Sequence, residues 1–308
     1  AARVNSVSLS GLAEGTYEFQ VGDSNSDADN DWSATQTFTV APVGDSTSFF
    51  VMGDTQMSGN RENDATSIAI LEKLGALLDS KDVDFGLQTG DYVDNGSNYA
   101  MWEEIQEVFS ASFPTVDYIH TLGNHEYYGD ATGAIANKLL QLPGKDYYSV
   151  EYGDVYVAVI NNSADLDEAC QWLIDDAAES DCTWKVLSIH QPPYYTNATG
   201  GSDRFNKAIP AAADAAGIDV VFSGHDHSYA RTPALRNGEK SDNGTVYFIC
   251  GDLGEKSRNV NYAITSDFKY ECTSQEYEGL MLYVTADSKT LSVTAYDSAD
   301  GTIVDSVT

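Results

Sequence analysis

Four of the five histidines in this 308-residue chain fall in three short motifs: Gly-Asn-His-Glu at 123–126, Ile-His-Gln-Pro-Pro at 189–193 and Gly-His-Asp-His at 224–227. Two aspartates stand upstream, each just after an apolar run: Asp54 follows Phe49–Gly53 and Asp91 follows Phe85–Gly90. Imidazole nitrogen together with carboxylate oxygen is a ligand mix for first-row transition metals. Residues so far apart in sequence meet only if each leaves the end of a strand in one sheet system. The pattern therefore predicts a metal enzyme.

The elements needed to position those residues are legible around them. Ser48–Met52, 83–89, 116–122, 184–189 and 218–223 read as strands, and 147–161 as a hairpin through Tyr152-Gly153-Asp154. Asp64–Leu78 reads as a helix, with Ile68, Leu71, Leu74 and Leu78 at helical spacing. A second helix is expected near 165–178. The last quarter reads as antiparallel strands at 245–250, 279–285, 290–296 and 302–307. Strands alternating with helices predict an α/β layered fold over 45–308. Residues 1–42 read differently, as about three β-strands followed by the linker Ala41–Ser46.

Sixteen basic residues against 48 acidic give a net charge of −32. That balance argues against nucleic acid as a partner, because phosphate backbones are held by Lys and Arg. No apolar run reaches the ~20 residues of a membrane span. Four cysteines fit two disulfides, with 170–182 and 250–272 as the nearest pairs, and an oxidising, extracellular setting. Asn161, Asn197 and Asn243 head Asn-x-Ser/Thr triplets, the acceptor pattern for glycans in a secretory host.

Taken in order, Gly53-Asp54-Thr55-Gln56, Gly90-Asp91-Tyr92-Val93-Asp94, Gly123-Asn124-His125-Glu126, His190 and Gly224-His225-Asp226-His227 resemble the calcineurin-like metallophosphoesterase superfamily. The flanks His190–Tyr194 and His225–Arg231 are most similar to its purple acid phosphatase branch. The Gly11-Leu12-x-x-Gly15-x-Tyr17 stretch resembles the tyrosine corner of a fibronectin type III module. About three strands stand where such a module has about seven, so its remainder is expected upstream in the natural protein. The resemblance implies a four-layer α-β-β-α sandwich at 45–308, preceded by a truncated all-β fibronectin-like segment at 1–42.

It also implies two metal ions, divalent or mixed-valence, drawn from Fe, Zn and Mn. Carried over by position, the first takes Asp54, Asp91 and His227, with Gln56 as a further ligand. The second takes Asp91, Asn124, His190 and His225. Asp91 is the implied bridge. A bridging hydroxide would attack a small phosphate ester in line, with His125 as general acid and Asp94 holding its imidazole. Asn124, His125 and His225 would face the substrate, joined by Tyr229 and Arg231. The leading activity is phosphomonoester hydrolysis. A phosphodiesterase or nucleotide hydrolase is the nearest alternative, and a non-catalytic surface protein with a degraded metal site is the alternative of another class.

Two positions depart from the superfamily's patterns. Asp94 stands where purple acid phosphatases carry the tyrosine that colours them. Gln56 stands where most colourless members carry His, which opens that site to Ca or Mg.

His120 carries no motif and is expected to be structural. Glu126 is expected to stabilise a loop, Asp226 to point away from the ligands on either side of it, and Arg231 to be open to a salt bridge.

Overall fold

The computed structural model describes residues 12, 13, 15–22, 32–40, 46–114, 116–196, 203–251, 253, 272–274, 277 and 279–308. The chain divides into two units, Ala1–Asp45 and Ser46–Thr308.

In the first unit, β1 (Gly15–Phe19) pairs antiparallel with β2 (Gln36–Val40), Tyr17 opposite Phe38. The Tyr17 hydroxyl donates to the Ala13 carbonyl at 2.8 Å. A tyrosine hydroxyl reaching back to main chain a few residues upstream is the defining bond of a tyrosine corner. The strand expected at Val7–Leu9 lies outside the described residues.

The second unit runs β3 (Ser46–Met52), α1 (Ala65–Leu78), β4 (Phe85–Gln88), α2 (Tyr99–Ser112), β5 (Asp117–His120), α3 (Ala134–Leu139), β6 (Tyr147–Tyr152), β7 (Val155–Ile160), α4 (Leu166–Glu179), β8 (Trp184–Ile189), α5 (Asp203–Ala216) and β9 (Val220–Ser223). It continues with β10 (Tyr229–Arg231), β11 (Leu235–Arg236), β12 (Glu239–Lys240), β13 (Val246–Cys250), β14 (Cys272–Ser274), β15 (Leu280–Asp287), β16 (Leu291–Asp297) and β17 (Ile303–Val307). Two large sheets result, ordered β17-β16-β15-β3-β4-β5 and β14-β10-β13-β9-β8-β7-β6. In the first, β3, β4 and β5 are parallel; in the second, β7, β8, β9 and β13 are parallel.

Strand periodicity decides the layering. Along β3, Phe49 and Val51 join the cluster between the sheets, while Phe50 and Met52 face α1 and α2 with Leu71, Leu74 and Trp102. Along β7, Val155, Val157 and Val159 face inward, while Tyr156, Ala158 and Ile160 meet α4 and α5. Each strand is buried on both faces, which is why its sequence is a continuous apolar run. Burying each large side chain contributes roughly 1.5–3 kcal/mol, so the sandwich can hold polar residues rigidly at its rim. The layers are helix, sheet, sheet, helix.

Helices α2, α3 and α5 stand outside the expected elements. In α2, Asn98 caps the start by accepting from Ala100 N at 3.0 Å, and Trp102, Ile105, Val108 and Phe109 form the buried face. In α5, Pro210 interrupts the pattern that would announce a helix.

The expected disulfides are absent: Cys170, Cys182 and Cys250 are free thiols. Helical rise carries the chain about 14 Å from Cys170 to the end of α4, and Cys182 lies only three residues beyond it. Cys250 and Cys272 sit on strands that flank β10 on opposite sides. Two strand spacings are about 9.5 Å, beyond the ~7 Å a disulfide spans between Cα atoms. The cysteines therefore carry no argument for an oxidising compartment. Asn161 is fully buried and accepts from Leu122 N at 2.8 Å, which excludes a glycan there in the folded protein. Asn243 is exposed, and Asn197 lies outside the described residues.

Candidate active site

Every motif residue leaves the C-terminal end of a parallel strand, where open α/β sheets bind ligands. Asp54 and Gln56 follow β3, Asp91 follows β4, Asn124 and His125 follow β5, His190 follows β8, and His225 and His227 follow β9. The two sheets thus supply facing halves. Main-chain bonds lock the loops together: Asp54 N donates to Gly90 O at 2.9 Å, Gln56 N to Asp91 O at 2.9 Å and Gly224 N to His190 O at 2.9 Å.

The loops are sharply bent. Seven described non-glycine residues have positive φ, and five are Asp54 (60°), Gln56 (41°), Asp91 (54°), His225 (69°) and His227 (47°). Such left-handed conformations cost of order 1–3 kcal/mol each and concentrate at functional sites. Two neighbours must be glycine for space. A Cβ on Gly123 would lie 2.2 Å from Asp91 Oδ1, and one on Gly224 2.2 Å from Asp54 Oδ2.

His190 is the centre of the first cluster. Its Nδ1 lies 2.9 Å from the Thr89 carbonyl, so Nδ1 carries a proton. Around its Nε2 stand Asp91 Oδ2 at 3.1 Å, Asn124 Oδ1 at 3.2 Å and His225 Nδ1 at 3.2 Å. Lone pairs converge there and call for a positive charge between them. Without a metal, that charge is a proton. Burial opposes protonation of His190, yet Asp91 and Asp54 carry its pKa up to about 10. Asp91, His190 and His225 bring one ligand atom each within 4.8 Å of one another.

A second cluster meets the first at Asp91, through the same oxygen Oδ2. His227 Nε2 is 3.5 Å from Asp54 Oδ1, and both Asp54 oxygens accept from His225 N at 2.9 Å. Gln56 Nε2 donates to Asp91 Oδ2 at 3.1 Å, while Gln56 Oε1 is buried with no hydrogen-bond partner. A buried amide oxygen left so costs about 1–3 kcal/mol, and a cation held with Asp54, Asp91 and His227 would satisfy it. Burial lifts the Asp54 carboxyl well above the usual range, with Asp91 adding to the effect. For Asp91, burial alone would raise the pKa, but the His190 charge and hydrogen bond bring it below that range. Both donor sets fit cations.

Glu126 clamps the two halves of the first sheet's rim. It is fully buried, accepting from Asp91 N at 2.9 Å, Gly123 N at 2.7 Å and Tyr92 N at 2.8 Å. Burial and the nearby Asp91 push it up to about 7 despite these donors. Asp226 turns from the cluster to hold Thr196 N at 2.6 Å. His120 is half-buried against Tyr92, its Nδ1 bonded to the Tyr92 hydroxyl, and desolvation lowers its pKa to about 4.

His125 lies beside the first cluster, its Nε2 3.8 Å from Asp91 Oδ2. The Asp94 role differs in kind from the sequence expectation. His125 Nδ1 donates to the Asp94 main-chain carbonyl at 2.9 Å, whereas the carboxylate is 4.0 Å away. A carbonyl carries no signal in sequence, and neither does Thr89 O behind His190. Asp94→Asn keeps that carbonyl, so turnover should fall by less than about tenfold, well short of the 10²–10⁴ typical of losing a general acid. A loss as deep as that of His125→Ala would return the role to the carboxylate.

Tyr229 and Arg231 are committed elsewhere. The Tyr229 hydroxyl donates to Asp305 Oδ2 at 2.7 Å, and Arg231 Nε and Nη2 reach the same carboxylate at 2.6 and 3.1 Å. These bonds tie β10 to β17 across the two sheets and take up the groups expected to meet substrate.

The profile of the family described as calcineurin-like phosphoesterase matches residues 47–229, more than half of the chain. The chain belongs to this family. Purple acid phosphatase 22 of Arabidopsis thaliana is 26% identical over 199 residues, covering 58% of this chain and 46% of that protein. The A. thaliana protein named "Probable inactive purple acid phosphatase 27" is 22% identical, covering 95% of this chain and 55% of its own length. The chain therefore spans about half the length of these curated relatives. Among solved structures, a purple acid phosphatase from yellow lupin (Lupinus luteus) seeds superposes with a TM-score of 0.80 at 18% identity, covering 94% of this chain and 58% of that one. That likeness supports the fold of this calcineurin-like phosphoesterase and no finer property.

Proposed function

We propose that the chain is a dinuclear metal-dependent phosphoesterase of the purple acid phosphatase-like branch, acting chiefly on phosphomonoesters. The observation that carries this is the convergence of Asp91, Asn124 and His225 on His190 Nε2, with His125 beside it. Asp91, Asn124, His190 and His225 would hold one cation, and Asp54, Gln56, Asp91 and His227 the other. Bound, the pair would supply Lewis-acid charge and an activated water.

The chain's own residues do the rest. The Asp94 carbonyl accepts from His125 Nδ1 and turns Nε2 toward the cluster; as the imidazolium, with a proton on each nitrogen, His125 would give its Nε2 proton to the leaving oxygen and end as the Nδ1–H tautomer that the carbonyl holds. Glu126 keeps the Asp91 and Asn124 loops in register. With an amide at Gln56 in place of imidazole, the Asp54 side is the weaker cation site, open to Mn, Mg or Ca. Asp94 in place of tyrosine gives a colourless enzyme: the iron-loaded protein should show no intense visible tyrosinate band. A strong band would mean that another phenol binds iron.

The segment 1–42 is read as fibronectin-like, supported by the Tyr17–Ala13 bond. An extracellular location is supported by the −32 charge, and no described helix is long and apolar enough to cross a membrane.

The test is turnover of p-nitrophenyl phosphate against bis(p-nitrophenyl) phosphate with Mn, Zn, Fe and Ca in turn. Faster monoester turnover supports the reading, and faster diester turnover makes the chain a phosphodiesterase. Gln56 and the relative named inactive favour a second reading, a non-catalytic scaffold; no turnover with any metal would establish it.

A further inference from the structure

We propose that Tyr128 is both a positioning residue for Asn124 and a platform for an aromatic leaving group, the latter resting on the proposed phosphoesterase reading. Tyr128 ends the short turn that carries His125 and is 47% exposed. Its hydroxyl accepts from Asn124 Nδ2 at 2.9 Å. The amide has only one other face, and this bond sends Oδ1 toward His190 Nε2 at 3.2 Å. Reversed, the amide would push its NH₂ toward a cluster that needs a lone pair. A group that orients a ligand from outside in this way typically governs metal affinity by 10–100-fold.

The ring makes the second contribution. Its centroid lies 4.6 Å from that of His125, at 41°. His125 is placed to protonate the leaving oxygen, so the phenol ring beside it borders the leaving group. An exposed aromatic face there favours planar groups, phenyl or nucleobase, over short alkyl chains. Aromatic pairing of this kind is worth about two- to tenfold in affinity. The surface needs no cation to do this, which matters in so acidic a protein.

Wild type, Tyr128→Phe and Tyr128→Ala separate the two contributions. Zinc affinity of the metal-stripped proteins is read by equilibrium dialysis. Binding of phenylphosphonate against methylphosphonate to the zinc-loaded proteins is read by calorimetry, which requires no turnover. Tyr128→Phe should weaken zinc about tenfold or more and keep the phenyl preference. Tyr128→Ala should weaken zinc equally and lose that preference by about two- to tenfold. Unchanged zinc affinity in Tyr128→Phe would overturn the positioning role. An unchanged phenyl-to-methyl ratio in Tyr128→Ala would overturn the platform. If the wild type binds both phosphonates yet hydrolyses no ester, the phosphoesterase reading fails while both comparisons still stand.

Discussion

Asp91→Asn should abolish turnover, by on the order of 10⁴-fold or more, as when a member of an interdependent catalytic set is removed. Asp91 is the one side chain shared by both clusters. Its Oδ2 is 3.1 Å from His190 Nε2 and from Gln56 Nε2, and its Oδ1 accepts from His125 N at 2.9 Å. The amide keeps the shape but offers one acceptor oxygen instead of two. Whichever way it turns, an NH₂ meets a donor or the space of a cation. Bound metal, read by elemental analysis, should fall from two equivalents to one or none. The fold should survive, because Glu126 grips the Asp91 main chain and not its side chain. A melting temperature within a few degrees of wild type separates this outcome from unfolding. Activity above a tenth of wild type, with two metals retained, would end the shared-carboxylate idea.

His125→Ala should cost about 10²–10⁴ in kcat while leaving both metal equivalents in place. The imidazole is no ligand in this geometry: Nδ1 is used by the Asp94 carbonyl and Nε2 stands 3.8 Å from Asp91 Oδ2. The loss should be deeper on an alkyl phosphate than on p-nitrophenyl phosphate, since a stable leaving anion needs little help from an acid. Equal losses on both substrates would make His125 a binder of phosphoryl oxygens and not a proton donor.

Much of this architecture is visible in sequence because strands buried on both faces must be apolar throughout. The runs before Asp54, Asp91 and His190 announce β3, β4 and β8, and each ligand follows within three residues of the strand's end. The four-residue motifs Gly-Asn-His-Glu and Gly-His-Asp-His are legible for a related reason: glycine is required where a Cβ would strike Asp91 or Asp54. What sequence does not reveal is made by main chain or by tertiary pairing. The carbonyls of Thr89 and Asp94 set the tautomers of His190 and His125, and any residue type could supply them. Arg231 beside a ligand motif reads as either a salt bridge or a substrate contact, and the salt-bridge partner, Asp305, 74 residues later, is seen only in the fold. The cysteine pairs fail because proximity along the chain ignores the intervening strand β10 and the length of α4.

The left-handed conformations at Asp54, Gln56, Asp91, His225 and His227 set stability and activity against each other in any programme of engineering or random drift. Together they amount to roughly 5 kcal/mol or more of backbone strain, comparable to the net stability of a whole domain. Glycine at any of the five would relax the chain and remove a polar group that is buried or, at His225, half-buried at once. Libraries screened for heat resistance alone should therefore accumulate glycine at these five positions and yield robust, inert proteins. A screen that keeps hydrolysis must find its gains elsewhere, on the outer helices and the sheet edges, where no side chain is bent to serve the centre.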